Sequence, residues 1–135
     1  MYKITEAFLR ALNFRHIHYR LLEQQMGNEG VLVSIAAEPI LNVYFFFNEE
    51  KSQLTVQVFN LVEGRSNPQL MELLNQLNEE YSFVKFYYDS DSAAVHARIQ
   101  MLVTEDTAAM IGIRMQGIMV GACTDVYRSL FEAVK

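Results

Sequence analysis

The chain has 135 residues, 51% hydrophobic and 20% charged, with only 2 Pro and 6 Gly, which excludes disordered and collagen-like proteins. Its net charge of −5 argues against nucleic-acid binding, and its single Cys excludes a disulfide framework, so we expect a reducing compartment, the cytoplasm. Charged residues interrupt the apolar stretches, so neither a signal peptide nor a membrane span is expected, and one domain is expected over residues 1–135.

The first element is a helix. Apolar residues at helical spacing predict it over residues 5–13, and the Thr5 hydroxyl is suited to cap it. Residues 14–26 fit two patterns. Helical spacing would extend the helix to Met26, whereas the alternation in HIHYRL is typical of a half-buried strand. We favour the strand.

The next part of the chain predicts antiparallel strands. Residues 26–30 contain two glycines and an Asn and predict a turn, after which residues 31–35 alternate as a strand. Pro39 interrupts the ladder. Residues 40–47 and 53–62 are rich in β-branched and aromatic types and are joined by the polar segment NEEKS, which indicates a hairpin.

The remaining elements alternate between helix and hairpin. Asn67 before a proline marks a helix start, and Leu spacing predicts a helix over residues 68–80. A hairpin follows, with strands at 84–88 and 94–103 around the turn DSDS, and a final helix is predicted over 107–133. The fold class is therefore α+β, with an antiparallel sheet of five or six strands in the order α-β(3–4)-α-β(2)-α.

The final helix is apolar over most of its circumference, far wider than the arc of about 100° that covers one side of a sheet. We expect it to lie between its own sheet and either the first helix or a second subunit, and the alternative is a binding groove filled by a transient partner. Met115 and Met119 belong to this apolar arc, and they fit either core packing or an adaptable partner surface.

The strands carry aromatic residues on both faces, which is more than a single core requires. Phe45 and Phe47 share one face, while Tyr44 and Phe46 point to the other. The second face also has polar residues and resembles an interface. The candidate partner-binding residues are Tyr44, Phe46, Phe59, Tyr87, Met115 and Met119.

Residues that often carry chemistry do not form a convincing site. His16, His18 and His96 could share one sheet face and collect a metal, but no acidic residue at ligand spacing accompanies them, so exposed sheet histidines are favoured. Cys123 has no basic neighbour one turn away and is expected to be a core thiol. No phosphate loop or dinucleotide fingerprint is present, so we expect no catalytic site, cofactor or metal.

The segment LMELLNQLNEEYSFVKFYYDSDSAAVHARIQM resembles the YbjN family, also called bacterial sensory transduction regulator, whose fold is similar to type III secretion chaperones. The resemblance lies in the order of a Leu-rich helix, an aromatic strand, an acidic turn, a second strand and a long helix with Ala122 to Asp125 at a small-acidic position. It is detailed over residues 67–135 and concerns layout alone over the first 66. It implies an α+β domain, often a homodimer, and transfers no catalytic residue.

Two functions follow as hypotheses. The leading one is a non-enzymatic protein-binding module, chaperone- or adaptor-like, that holds a segment of another protein. The alternative is a small-ligand or metal-dependent enzyme that uses His16, His18 and His96. We also expect a homodimer that covers part of the apolar surface and leaves another part for a protein or peptide partner, with no nucleic acid or membrane involved.

Overall fold

The computed structural model describes residues 1–134, which form three helices and six strands. The helices are α1 (Lys3–Phe14), α2 (Pro68–Glu80) and α3 (Ala108–Ala133). The strands are β1 (Arg20–Leu21), β2 (Asn28–Ile35), β3 (Leu41–Asn48), β4 (Gln53–Glu63), β5 (Lys85–Asp89) and β6 (Ala94–Leu102). The predicted α+β class and the order of its elements are confirmed.

All six strands belong to one antiparallel sheet in the order β1-β2-β3-β4-β6-β5. The first four strands are neighbours in sequence, whereas the β5–β6 hairpin is added through β6, which pairs with β4. The helix α2 lies between β4 and β5 in sequence, and this longer connection allows the hairpin to enter with β6 innermost.

The amino-terminal segment differs from the prediction in two ways. The helix begins at Lys3, so Thr5 lies buried inside it rather than at its cap. It ends at Phe14 in a Schellman motif, in which His16 has a φ of 57° and the Ile17 N–H donates to the Leu12 carbonyl. This left-handed residue terminates the helix, so the extension to Met26 is wrong, and the favoured strand is confirmed only for Arg20–Leu21.

The turn before β2 is tighter than predicted. Met26 and Gly27 both have positive φ, 51° and 81°, and form a two-residue turn between Gln25 and Asn28, whose backbones pair. A turn of this kind matches the twist of the flanking strands. The strand β2 therefore begins at Asn28 rather than after Gly30.

The predicted start of α2 is confirmed, with Pro68 in the first turn. The Asn67 Oδ1 accepts a hydrogen bond from the Leu70 N–H at 2.8 Å, and its Nδ2 donates to the Ala133 carbonyl at 2.8 Å. One side chain thus caps α2 and holds it against the end of α3.

Near the other end of α2, Asn78 covers the outer edge of the sheet. Its Nδ2 donates to the Phe86 carbonyl at 2.9 Å, and its Oδ1 accepts from the Phe86 N–H at 2.8 Å. The amide therefore replaces a neighbouring strand at this position of β5. This pairing protects an edge strand that would otherwise offer a template for another chain.

The core lies between the helices and one face of the sheet. The Phe8 ring of α1 packs on Phe45 and Phe47 with centroid distances of 4.6 Å and 5.4 Å. The helix α3 packs on β4 and β6 and is covered by α1 and α2. Its own sheet and the first helix therefore flank α3 as expected. No helix within residues 1–134 has the length and apolarity needed to cross a membrane.

Candidate functional site: the open face of the sheet

The helices pack on one face of the sheet and leave the opposite face, here called the open face. Strand β3 shows the division, since Val43, Phe45 and Phe47 are buried under the helices while Tyr44 and Phe46 are half-buried on the other side. The open face includes the side chains of Arg20, Leu32, Tyr44, Phe46, Gln57, Phe59, Lys85, Tyr87, His96 and Arg98.

Three of the predicted partner-binding residues meet in an aromatic cluster of Tyr44, Phe46 and Phe59. The ring centroids of Tyr44 and Phe46 are 5.9 Å apart, and Phe59 lies edge-on to both, at 5.2 Å and 6.5 Å. Phe59 is 46% exposed although it is aromatic. Edge-to-face contacts of this kind restrict the orientations of the rings.

The fourth residue, Tyr87, adjoins this cluster through His96. The His96 ring is 5.4 Å from Tyr87 and 5.6 Å from Phe59. The Tyr87 hydroxyl accepts a hydrogen bond from the Gln57 Nε2 at 3.0 Å, and the Arg98 guanidinium lies 5.0 Å from the Tyr87 ring centroid. The structure therefore brings all four predicted open-face aromatic residues into one connected surface.

A bulge in β4 positions Phe59. The register of β4 against β6 shifts between Val58 and Val62, and Asn60 within this bulge has a φ of 52°. The Asn60 N–H donates to the His96 Nδ1 at 2.9 Å, which replaces the ladder bond that the bulge removes. His96 is thus a buried residue that anchors the bulge, and its expected exposure is wrong.

The other ring nitrogen of His96 faces the β5–β6 turn. The His96 Nε2 lies 3.1 Å from the Ser92 Oγ and 3.3 Å from the Asp89 Oδ2. Hydrogen bonds from the Asp91 N–H and from His96 lower the pKa of Asp89 below its ordinary value. Ser92 and Asp89 contact the same nitrogen, whereas a Ser-His-Asp triad needs them on opposite nitrogens, so the cluster ties the turn to the bulge.

The three histidines do not form one site. His16 ends the first helix, His18 is exposed before β1, and His96 is buried on β6. Three strands lie between β1 and β6, so these two strands are roughly 19 Å apart at the usual strand spacing. Within residues 1–134, no group of three His, Cys, Asp or Glu side chains could hold a metal ion. The enzyme alternative built on these histidines has no support in the structure.

Met115 and Met119 are not available to a partner, which corrects their assignment as candidate binding residues. They are 3% and 0% exposed, because they point from α3 into the core beneath the sheet. The Cys123 Sγ lies 3.6 Å from the Met119 Sδ in the same layer. Burial raises the pKa of the Cys123 thiol to about 12, in agreement with its predicted place in the core.

Two open clefts flank the aromatic cluster, and the sequence offered no signal for either. The first, of about 350 Å³, adjoins Phe46 and is lined also by Leu22, Glu23, Gln25, Met26, Asn28 and Gly30. The second, of about 440 Å³, adjoins Tyr44 and Phe59 and is lined also by Pro39, Ile40, Leu41, Asn42, Val58, Asn60, Leu61 and Tyr127. Open clefts on both sides of the aromatic cluster suit the side chains of a bound segment better than an enclosed small ligand.

The sequence matches the family model of YbjN, described as "Putative bacterial sensory transduction regulator", over residues 6–118. The match therefore includes the first strands, where only a similar layout was expected. No curated protein matches the sequence.

Two solved structures are similar to this chain. A chain of the ExsC-ExsE complex has a TM-score of 0.65 at 13% identity, over 95% of this chain and 93% of that chain. A chain of the HopA1-SchA chaperone-effector complex has a TM-score of 0.59 at 12% identity, over 97% of this chain and 94% of that chain. At such identities the likeness concerns the fold, and it confirms the expected similarity to type III secretion chaperones.

Proposed function

Because this chain belongs to the YbjN family and has the fold of type III secretion chaperones, we propose that it is a non-enzymatic protein-binding module of chaperone or adaptor type. In this proposal its open face holds a segment of another protein and thereby regulates that partner. The solved structure of the HopA1-SchA chaperone-effector complex supports a protein partner. The proposal includes a single domain over residues 1–135. It also includes a cytoplasmic location, which is supported by the single cysteine, Cys123, being buried and free.

The observation that carries this proposal is the aromatic cluster on a face that no helix covers. Apolar ring surface in contact with water is unfavourable, yet the half-buried Tyr44 and Phe46 lie together with the exposed Phe59 in one cluster. Rigid aromatic side chains lose little conformational entropy on binding and are enriched among the residues that dominate interface energies. The flanking clefts provide space for neighbouring side chains of the bound segment.

Affinity capture from the native host, with Phe46→Asp and Phe59→Asp variants beside the wild type, tests this proposal. Loss of an aromatic anchor should weaken the complex by about 2 kcal/mol, about thirtyfold in Kd. Phe83→Asp is the control, because Phe83 is 53% exposed in the loop between α2 and β5 and is not part of the cluster. Equal recovery of the same partner by wild type and Phe46→Asp would exclude the open face as the surface that binds this partner.

We also propose that the chain forms a homodimer through the outer side of α3. Ideal Cβ atoms at Gly117 and Gly121 would meet no atom within 4 Å, and Met110 on the same helix is 62% exposed. Small residues allow a second helix to approach closely, and burial of Met110 would add to the apolar area removed from water in the dimer. Light scattering should report about twice the chain mass of 15.6 kDa for the wild type and the mass of one chain for Gly121→Glu. A monomeric wild type would refute the dimer and leave the open face unaffected.

A further inference from the structure

Cations occupy both ends of one row that crosses the open face. Successive strands pair through the following residues, here called the basic row: Arg20, Leu32, Tyr44, Gln57, Arg98 and Lys85. The aromatic and apolar members stand in the middle. The row has three cations and no carboxylate, in a chain whose net charge is −5.

These cations have no carboxylate partner among the described residues. Within residues 1–134 the only ion pair joins His96 to Asp89, so no carboxylate lies within 4.0 Å of Arg20, Lys85 or Arg98. Two carboxylates on the strands of the open face, Asp89 and Glu63, both pair with Ala94 at the far end of β6, and a third, Glu23, lines the cleft beside Phe46. Arg98 lies four positions after Ala94 on the strand, which is a distance of roughly 13 Å.

The Arg98 side chain is already placed beside the rings. Its guanidinium lies 5.0 Å from the Tyr87 ring centroid, and this cation–π contact leaves its N–H groups available for an acceptor. Arg98 is half-buried, which reduces screening of its charge relative to a fully exposed cation. A carboxylate next to an apolar anchor would therefore meet a cation in a defined position.

From this charge pattern we propose that the segment held by the open face has an apolar or aromatic centre with carboxylates on both sides. Tyr44 stands two strands from Arg20 and two strands from Arg98, which is roughly 10 Å in each direction. An extended segment that crosses the strands rises about 3.3 Å per residue, so Asp or Glu belongs two to four residues before and after the central anchor. This inference rests on the proposed function and adds the chemistry of the partner.

Binding of synthetic peptides to the full chain tests the inference. Three fluorescein-labelled peptides share a centre of alternating Leu and Phe and carry two Glu, two Ser or two Lys residues at each end. Fluorescence anisotropy should show the Glu-flanked peptide binding about tenfold more tightly than the Ser-flanked one at low salt, because each exposed ion pair contributes modestly. The preference should shrink at high salt, which screens surface charges.

Charge-reversal variants assign the preference to the basic row. The single change Arg98→Glu should shift the preference towards the Lys-flanked peptide. Arg10→Glu is the matched control, because Arg10 is exposed on α1 beyond the sheet, and it should leave the ratio of affinities unchanged. A ratio that moves equally in both variants would show a general charge effect and would overturn the inference.

The remaining outcomes separate this inference from the proposed function. If the three peptides bind equally and Phe46→Asp weakens the binding of all three, the open face holds a segment without regard to charge, and only the present inference fails. If none binds at about 1 mM, a concentration that detects even weak complexes, both proposals fail. If Phe46→Asp instead converts a dimer to protomers, the occupant is a second copy of this chain, and the inference is overturned.

Discussion

Gly112 permits the close approach of α1 and α3, so its replacement by alanine should destabilise the fold. An ideal Cβ at this position would lie 2.5 Å from both the Cδ1 and Cε1 atoms of Phe8. The Phe8 ring is fully buried and rests against Phe45 and Phe47, so it has little room to move away. The added methyl group therefore has to be accommodated by overpacking the core, which costs about 1–3 kcal/mol.

Gly117→Ala is the matched control on the same helix. Both changes gain about 1 kcal/mol from the better helix propensity of alanine, but the Cβ at Gly117 would meet no atom within 4 Å. The difference in free energy of unfolding between the two variants therefore isolates the clash. We expect Gly117→Ala to stabilise the protein by up to about 1 kcal/mol and Gly112→Ala to lie about 1–3 kcal/mol below it.

Thermal unfolding followed by far-ultraviolet circular dichroism measures this difference. For a domain of this size, 1 kcal/mol corresponds to about 4 °C, so the two melting temperatures should differ by about 4–12 °C. Repeating the measurement at two protein concentrations separates a dimer contribution at Gly117, because association makes the melting temperature concentration-dependent. In a Phe8→Leu background the cost of Gly112→Ala should fall, because the smaller side chain leaves room for the methyl group.

Equal stability of Gly112→Ala and Gly117→Ala would refute the proposed close contact between the helices. An unchanged cost of Gly112→Ala in the Phe8→Leu background would place the strain elsewhere. Either result would contradict the assignment of Gly112 as the contact point of α1 and α3.

Three further predictions concern other parts of the molecule. Asn78→Ala removes both hydrogen bonds from the β5 edge, so it should lower the free energy of unfolding by about 1–2 kcal/mol and promote aggregation. Asn75 is exposed on the same helix, so Asn75→Ala should change the free energy of unfolding little, as measured by urea unfolding. Because its pKa is lowered, the ionised Asp89 stabilises the fold at pH values above its ordinary pKa of 3.8. The difference in free energy of unfolding between wild type and Asp89→Asn should therefore be largest at neutral pH and narrow as the pH falls through and below 3.8. A difference that widens in acid would contradict the hydrogen bonds to Asp89. Cys123, with its pKa raised to about 12, should resist thiol reagents at mild pH until the protein is unfolded, and rapid labelling of the native protein would show that the thiol is accessible.

The amino-acid sequence determined most elements because their signals are local. Asn67 and Pro68 marked the start of α2, and Leu spacing marked its extent, both as observed. Alternation also placed Tyr44 and Phe46 on the face opposite Phe45, because successive side chains of a strand point to opposite sides. These features depend on residues a few positions apart, so they can be predicted without knowledge of the rest of the fold.

The tertiary structure decided the features that depend on distant residues. The bulge that places Phe59 requires His96 from another strand, 36 positions away from Asn60, and no local pattern predicts this pairing. Similarly, Met119 became core rather than surface because α1 and the sheet enclose that side of α3. Strand order then brought Tyr87 beside the other aromatic residues. A sequence pattern indicates which side of an element is apolar, but only the packing of all elements decides which apolar surface is covered and which stays open to a partner.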